Sequence, residues 1–279
     1  MATITETLKA FLDAGDPTAL VEVARAKGST PREAGAYMLV SRKAIHGTIG
    51  GGQLEFMAID QARQMLADAK GPHELMLDIP LGPEIGQCCG GRVEVLVRLV
   101  DDELKAELLR NAEAEDARLP HIYIFGGGHV GQALAGALSL LPVKAAVIET
   151  RAEALEGMPA SVETRLTSVP EEMVRSAPAG AAFVVLTHDH ALDFLIVAEA
   201  LKRNDAAYVG MIGSKTKKAT FRSWYLKSAG GSEADFARLV SPIGGDAVKD
   251  KRPAVIAALA AAEIMMALSH RDALFRSIS

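Results

Sequence analysis

Two segments of this 279-residue chain carry residue types suited to binding a metal-bearing or phosphate-bearing ligand. The segment Gly86-Gln87-Cys88-Cys89-Gly90-Gly91 contains both cysteines of the chain, as adjacent thiols between glycines. Thiolates are nucleophiles and ligands for soft metals, and glycines let a backbone come close to a bulky ligand. Further along, Gly126-Gly127-Gly128-His129-Val130-Gly131 has the glycine spacing of a dinucleotide-binding loop. The sequence therefore combines soft-ligand chemistry with phosphate recognition.

The two cysteines have a second interpretation, because free cysteine is among the most buried residue types and often only fills core space. Glycines on both sides offer no side chains to pack, which favours a presented site over core filling. Two adjacent thiols could also form a reversible redox switch. A reducing compartment would keep them available as thiols.

Length and composition narrow the class of protein. The length exceeds that of a usual single domain, so two domains are expected. Hydrophobic residues make up 49% of the chain and aromatic residues 5%, which suits layered α/β packing. The net charge of −5 and the lack of a dense basic stripe argue against nucleic acid as a partner.

Targeting signals and membrane spans are not expected from the sequence. The chain starts without the basic and apolar regions of a secretion signal, which predicts a cytoplasmic protein. The longest apolar run, Val255 to Leu268, is shorter than the roughly 20 residues of a membrane helix and contains Glu263. We therefore predict no membrane segment and a buried, alanine-rich helix in this place.

The first hundred residues predict a mixed α/β domain, residues 1–100, with loops suited to ligands. Apolar spacing indicates a first helix at Ile4–Leu12 and strands at Leu20–Ala26, Ala36–Val40, Leu75–Ile79 and Val93–Val100. The turn-rich segment Gly28 to Gly35 is a candidate ligand loop. Gly50, Gly51 and Gly52 open a further helix, where free amides would bind an anion, although three glycines could equally form a tight turn.

An acidic segment follows, and the pattern then changes. Residues 101–119 are predicted to form a solvated helical connector, because acidic side chains outnumber basic ones around a narrow leucine face. Residues 120–279 alternate strands, glycine turns and helices, which predicts a Rossmann-like parallel-sheet domain.

The glycine loop of this second domain matches the Rossmann fingerprint. Gly126, Gly128 and Gly131 supply the tight turn, the close approach of a pyrophosphate and the helix–strand packing. Glu149 ends the second strand near the distance at which an acidic residue meets a ribose hydroxyl, which favours NAD over NADP, although Arg151 beside it weakens that preference. The alternative is a Rossmann-like domain that has lost its ligand.

Three histidines lie near this expected crevice. His129 is inside the glycine loop, where its ring is a candidate phosphate contact or simply exposed. His188 and His190 flank Asp189 after the third strand, where they could bind metal or move protons, although helix capping and turn formation are the favoured roles. Lys215, Lys217 and Lys218, beside a further glycine turn, supply positive charge suited to a phosphate, although a solvated basic helix start is an equal alternative.

Taken together, the motifs resemble those of the xanthine dehydrogenase accessory factor family, from about Val21 onward. The strings that carry the resemblance are Gly28-Ser29-Thr30-Pro31-Arg32, Gly47-Thr48-Ile49-Gly50-Gly51-Gly52, Leu81-Gly82-Pro83, Gln87-Cys88-Cys89-Gly90-Gly91, Phe125 to Gly131, Thr187-His188-Asp189-His190, Gly210-Met211-Ile212-Gly213-Ser214 and Ser241-Pro242-Ile243-Gly244. The resemblance implies a family-specific first domain, a Rossmann-like second domain and a homodimer.

The resemblance also implies a function in purine catabolism. Family members bind molybdenum cofactor (molybdopterin), protect it while a cysteine desulfurase supplies its sulfido ligand, and deliver it to apo xanthine dehydrogenase. The implied role is that of a chaperone, not an enzyme. A family cysteine that holds the cofactor corresponds here to Cys88 or Cys89, with Cys89 the first choice, as the metal contact. The other expected binding residues are Gln87, Gly50, Gly51, Gly52, Gln53, Arg32, Gly126, Gly128, His129, Gly131 and Glu149.

The chain departs from the family pattern at two positions, and two other functions compete with the one that the resemblance implies. Gln53 follows the glycine turn where many broader relatives have cysteine, and Tyr37 stands where a basic residue is common. Both favour the xanthine dehydrogenase branch over carbon monoxide dehydrogenase relatives. The rivals are an NAD-dependent oxidoreductase, which lacks an obvious proton-transfer residue beside the glycine loop, and a redox protein that uses the adjacent cysteines.

Overall fold

The computed structural model describes residues 3–68, 70–82 and 90–276, with side chains up to His270. The chain divides into two units, one ending at Ala117 and the other beginning at Arg118. The first contains an antiparallel sheet and the second a parallel sheet, each with helices. The predicted fold class, a mixed α/β domain followed by a Rossmann-like domain, is confirmed.

The described part of the first unit contains five strands in the order β3-β2-β1-β5-β4, all paired antiparallel. Its elements are α1 (Ile4–Leu12), β1 (Thr18–Lys27), β2 (Tyr37–Ser41), β3 (Ile45–Gly47), α2 (Gly52–Ala67), β4 (Glu74–Pro80), β5 (Arg92–Leu99) and α3 (Asp102–Arg118).

The strand register places one end of each of several strands at the same end of this sheet. Lys27, which ends β1, pairs with Arg92, which begins β5, and Arg92 also pairs with Pro80 at the end of β4. Met38 near the start of β2 pairs with Gly47 at the end of β3. Because antiparallel neighbours run in opposite directions, the segments that follow or precede these residues leave the sheet at the same end. These segments are residues 28–36, 48–51, 81–82 and 90–91.

Helices cover both faces of the antiparallel sheet. Alternate side chains of a strand point to opposite faces, so each strand contributes to two apolar layers. Leu54 and Ala58 of α2 pack on one face with Val21 and Val95. The other face packs against α1 and α3 through a cluster of leucines and one alanine: Leu8, Leu12, Leu20, Leu39, Leu104, Leu108 and Ala112.

The acidic segment expected as a connector forms α3, which lies within the first unit. Leu104, Leu108 and Ala112 are buried at helical spacing, whereas most of the acidic side chains face solvent. Asp116 accepts hydrogen bonds from the amides of Ile4 and Thr5 at 3.1 and 2.9 Å, which joins α3 to the start of α1. The leucine face that appeared narrow in the sequence is therefore wide enough to complete the core of this unit.

The described part of the second unit contains six strands in the order β11-β10-β9-β6-β7-β8, all paired parallel. Its elements are β6 (His121–Phe125), α4 (His129–Leu138), β7 (Lys144–Glu149), β8 (Glu163–Leu166), α5 (Glu171–Ser176), β9 (Ala182–Val185), α6 (His190–Lys202), β10 (Tyr208–Met211), α7 (Lys215–Lys227), α8 (Glu233–Phe236), β11 (Leu239–Val240) and α9 (Pro253–Arg276).

The last helix, α9, contains one 18-residue stretch, Pro253–His270, that is long and apolar enough to cross a membrane by length and composition alone. Its buried side chains Ala257, Ala260 and Ile264 belong to the core beneath the parallel sheet. Only 28% of the stretch is buried, so the prediction of a buried helix holds for one face and not for the whole helix. Core helices pass the same length and composition test, and one such stretch is weak evidence for a membrane span.

Candidate functional site

Two of the loops at the common end of the antiparallel sheet are in backbone contact. A Cβ atom built on Gly91 would lie 2.2 Å from the carbonyl oxygen of Ser29 and 2.8 Å from that of Lys27. A Cβ atom on Gly28 would lie 3.3 Å from the Cα atom of Gly91. Only glycine fits at position 91, because any side chain would push these backbones apart. The chain that follows the double cysteine is thus held against the turn-rich loop.

The glycine turn before α2 contacts the same loop. Gly50 has φ = +124°, and a Cβ atom there would lie 2.5 Å from Cβ of Pro31 and 3.4 Å from Cγ of Arg32. The Arg32 side chain is exposed, and no ion pair or hydrogen bond ties it to another described residue. Its charge is therefore available to a ligand.

A glutamate that was not predicted as a site residue holds the glycine turn in place. Glu55, in the first turn of α2, accepts hydrogen bonds from Thr48 Oγ1 at 2.5 Å and from the amides of Ile49 and Gly51, both at 3.1 Å. This carboxylate takes up part of the anion-binding capacity expected here. The signal for it was an acidic residue one turn after the glycines, where a carboxylate stabilises a helix start.

The start of α2 keeps free donors beyond this brace. Gly51 is the N-cap and provides no side-chain cap. Among the described residues, the amides of Gly52 and Gln53 have no hydrogen-bond partner. Unpaired amides at the start of a 16-residue helix attract anions.

The predicted site residues of the first unit divide into two groups. Arg32 and the Gly50–Gln53 turn lie together at the end of the sheet. Gln87, Cys88 and Cys89 lie outside the described residues. The described residues begin again at Gly90, whose amide donates a hydrogen bond to the Leu81 carbonyl at 2.9 Å.

In the second unit, the fingerprint glycines have three different environments. Gly126 has φ = +112°, and a Cβ atom there would lie 2.6 Å from the Leu186 carbonyl oxygen. A Cβ atom on Gly131 would lie 2.0 Å from the Gly126 carbonyl oxygen, whereas one on Gly128 would have nothing within 4 Å. These are the environments that a tight turn, close helix packing and ligand approach require. Gly128 is therefore the position open to a ligand.

The start of α4 presents donors beside Gly128. The helix begins at His129 without a side-chain cap. The amides of His129, Val130 and Gly131 have no hydrogen-bond partner among the described residues. The His129 side chain is exposed. This geometry suits a phosphate at the helix N-terminus.

Glu149 braces the loop instead of facing open solvent. Its carboxylate is 5% exposed and accepts hydrogen bonds from the amides of Gly127, Thr150 and Arg151 at 2.9, 2.8 and 3.2 Å. Burial alone would raise the pKa of Glu149, but these amides and the Arg151 charge outweigh it and hold the pKa below its usual value. Its oxygens are already engaged by protein donors, and the ribose contact stays a prediction.

A buried ion pair lies at the carboxyl end of the parallel strands. Asp193 is fully buried and Lys217 nearly so, and they form a salt bridge. Asp193 also accepts hydrogen bonds from the amide and hydroxyl of Thr187, and Lys217 donates to the Ile212 carbonyl at 3.0 Å. The pair joins the segments after β9 and β10. Lys217, expected to offer its charge to a phosphate, is instead buried against Asp193. Asp193 was not predicted, and the signal for it was a carboxylate on the apolar face of α6.

The described residues hold no group of three or more potential metal ligands. His188 and His190 are both exposed. Asp189 between them caps α6 by accepting from the amides of Ala191 and Leu192 at 2.8 and 3.3 Å. The capping role favoured from sequence is confirmed for Asp189.

Each of the two units matches a model of a known protein family. Residues 122–264 match the family model described as the XdhC Rossmann domain, and residues 11–78 match the model described as the XdhC and CoxI family. The chain belongs to the XdhC family. The family resemblance inferred from the motifs is therefore confirmed.

Individual relatives of this XdhC-family chain agree with that assignment. The uncharacterized protein YqeB of Escherichia coli K12 is 27% identical over 261 residues, which cover 89% of this chain. The chain spans only 43% of the length of that relative. A crystal structure described as a xanthine dehydrogenase from Bacillus halodurans superposes with a TM-score of 0.79 over 97% of both chains, at 17% identity. At that identity the match shows a shared fold.

The glycine environments predict different effects of adding a methyl group. We expect Gly131→Ala to lower the free energy of unfolding by about 1–3 kcal/mol, because the new atom would overlap the Gly126 carbonyl oxygen. The matched control Gly128→Ala should change it by less than about 0.5 kcal/mol, because its Cβ meets no atom. Urea denaturation measures both. Equal losses in the two variants would contradict the assigned environments.

The Glu149 environment predicts a pH dependence of stability. A carboxyl with a lowered folded-state pKa stabilises the fold above its unfolded pKa, and this contribution is lost as pH falls through the folded value. Wild type should therefore lose more stability than Glu149→Gln as pH falls below about 5. The exposed Glu153→Gln serves as control and should follow wild type. Denaturation midpoints from neutral to acidic pH test this, and a Glu149→Gln slope equal to wild type would refute it.

Proposed function

We propose that this protein binds molybdenum cofactor in its first unit, protects it during sulfuration and delivers it to apo xanthine dehydrogenase. Membership of the XdhC family supports the broader role in xanthine dehydrogenase maturation. The observation that carries the finer proposal is the convergence of three loops at one end of the antiparallel sheet, with Gly91 of the cysteine segment against Ser29.

The residues at this end fit the chemistry of the proposed cargo. Molybdenum cofactor presents an anionic phosphate, a flat pterin and a soft metal-dithiolene centre. The free amides of Gly52 and Gln53 and the exposed Arg32 suit the phosphate. A thiolate suits the metal centre, and Cys89 is bonded directly to Gly90.

The proposed chaperone has to hold the molybdenum cofactor and to shield it. Residues of the first unit bind the anion and orient the cargo through backbone donors, which leave no side chain to obstruct a flat ring system. Cys89, with Cys88 as the alternative, contacts molybdenum or its ligands. No proton transfer by the protein is required, which is consistent with a maturation factor that is not an enzyme.

We assign a nucleotide, or the phosphate of the cofactor, to the second unit. The open space at Gly128 and the three unpaired amides at the start of α4 support a phosphate there. NAD is the alternative occupant. An NAD-dependent oxidoreductase is accordingly the rival function, and turnover of nicotinamide by the purified protein would identify it.

The proposal includes a cellular setting drawn from the family resemblance. It places the protein in the cytoplasm, in purine catabolism, as a homodimer that meets both a cysteine desulfurase and apo xanthine dehydrogenase. Neither a nucleic acid nor a membrane is a proposed partner.

Cofactor content of cysteine variants tests the proposal. The full-length protein is purified from cells that make molybdenum cofactor, and molybdenum and pterin are measured in wild type, Cys88→Ala and Cys89→Ala. We expect wild type to carry both and Cys89→Ala to lose most of each, because a carrier without its thiolate has no soft ligand for the metal. Cys88→Ala is the matched control and should keep its load.

Delivery is measured separately by mixing loaded protein with apo xanthine dehydrogenase. Restored dehydrogenase activity that depends on the load is the expected result. Equal pterin in all three proteins would remove the thiols from the site, and wild type with neither molybdenum nor pterin would refute the proposed function.

A further inference from the structure

A cavity of about 250 Å³ lies in the first unit between the sheet and α3, on the face opposite α2. Its floor is formed by Glu22, Tyr37 and Arg98, together with Leu20. Strand pairing places these side chains together, because Glu22 pairs with Tyr37 and Leu20 pairs with Arg98 across neighbouring strands. Leu20 and Glu22 are two residues apart and share a face, so all four point to the same side of the sheet.

The rim of this cavity comes from one stripe of α3. Glu107, Asn111 and Glu115 line it and are spaced four residues apart, which places them on one side of the helix. The adjacent stripe, Leu104 and Leu108, is buried against the sheet. The helix is therefore anchored by its apolar stripe while its polar stripe faces the cavity.

The polar groups around the cavity do not pair with one another. The Nε atom of Arg98 is buried without a hydrogen-bond partner among the described residues. No ion pair or hydrogen bond joins the side chain of Arg98, Glu22 or Tyr37 to another residue in the described ranges. The same holds for Glu107 and Glu115 on the rim. A guanidinium with a buried, unpaired N–H is costly unless another group accepts from it.

The charges around the cavity select the kind of ligand. Three carboxylates would repel a phosphate, and a diamine has no acceptor to offer the unpaired Arg98 Nε. A molecule with a carboxylate at one end and an ammonium at the other satisfies both signs. Burial and the charge of Glu115 raise the pKa of Tyr37, so its hydroxyl keeps its proton and can donate to a carboxylate.

The volume agrees with this choice. Pockets for drug-sized ligands measure roughly 300–1,000 Å³, so this cavity suits a smaller molecule. A nucleotide or a pterin cofactor is too large for it. We propose that the cavity between the sheet and α3 binds a small zwitterion of the amino-acid class, with its carboxylate on Arg98 and its ammonium on the glutamates.

Thermal unfolding of the full chain with single amino acids tests this inference. Each of the common L-amino acids is added at about 10 mM, and at least one should raise the unfolding midpoint by about 3–6 °C if that concentration is about tenfold above Kd. Acetate, inorganic phosphate and putrescine are the comparison probes and should give no such shift. A shift with none of the amino acids, or an equal shift with one of the comparison probes, would overturn the proposal.

Variants separate ligand binding from a structural role. Arg98→Met keeps an apolar stem of similar length, and it should unfold no earlier than wild type without ligand, because it removes an unpaired partly buried charge. It should also lose the amino-acid shift. Arg110→Met, on the exposed side of α3, should keep the shift. A shift that survives Arg98→Met would overturn the assignment, and no step uses the molybdenum cofactor, so the proposed maturation role is tested independently.

Discussion

The close approach of Gly91 to the carbonyl oxygens of Ser29 and Lys27 determines the form of the first unit's candidate site. The end of β1 and the start of β5 are paired strands, so the loops beyond them begin side by side. Without a side chain at position 91, the two backbones can lie in contact above the sheet. Gly91, the turn-rich loop and the glycine turn at Gly50 consequently share one end of the unit.

In the second unit, buried charged side chains hold the candidate ligand loop and its neighbouring segments in place. Its glycine loop is held by Glu149, which uses its oxygens on backbone amides of the loop and of its own strand end. The Asp193–Lys217 pair joins the neighbouring segments. The carboxylates of Glu149 and Asp193 therefore both serve to position these segments. The donors left for a ligand are the amides at the start of α4, next to the open space at Gly128.

Local patterns in the sequence were enough to predict the two sheets and the separate roles of the fingerprint glycines. They were not enough to show which loops meet, because the contact between Gly91 and Ser29 depends on strand register between residues about sixty positions apart. Glu149 was assigned to a ligand and Glu55 was missed for another reason, since a carboxylate near glycines can face a ligand or cap backbone amides. The acidic α3 was misleading, because three apolar side chains, two leucines and one alanine, suffice to anchor a helix whose charges remain in water.

The contact at Gly91 is what holds the proposed cofactor site together. The most direct measurement is the molybdenum and pterin content of Gly91→Ala purified from cofactor-producing cells, with circular dichroism to show that it is folded. We expect a folded protein that has lost most of both, because the added methyl group forces the backbone at position 91 away from Ser29. A folded Gly91→Ala protein with the wild-type load would contradict it.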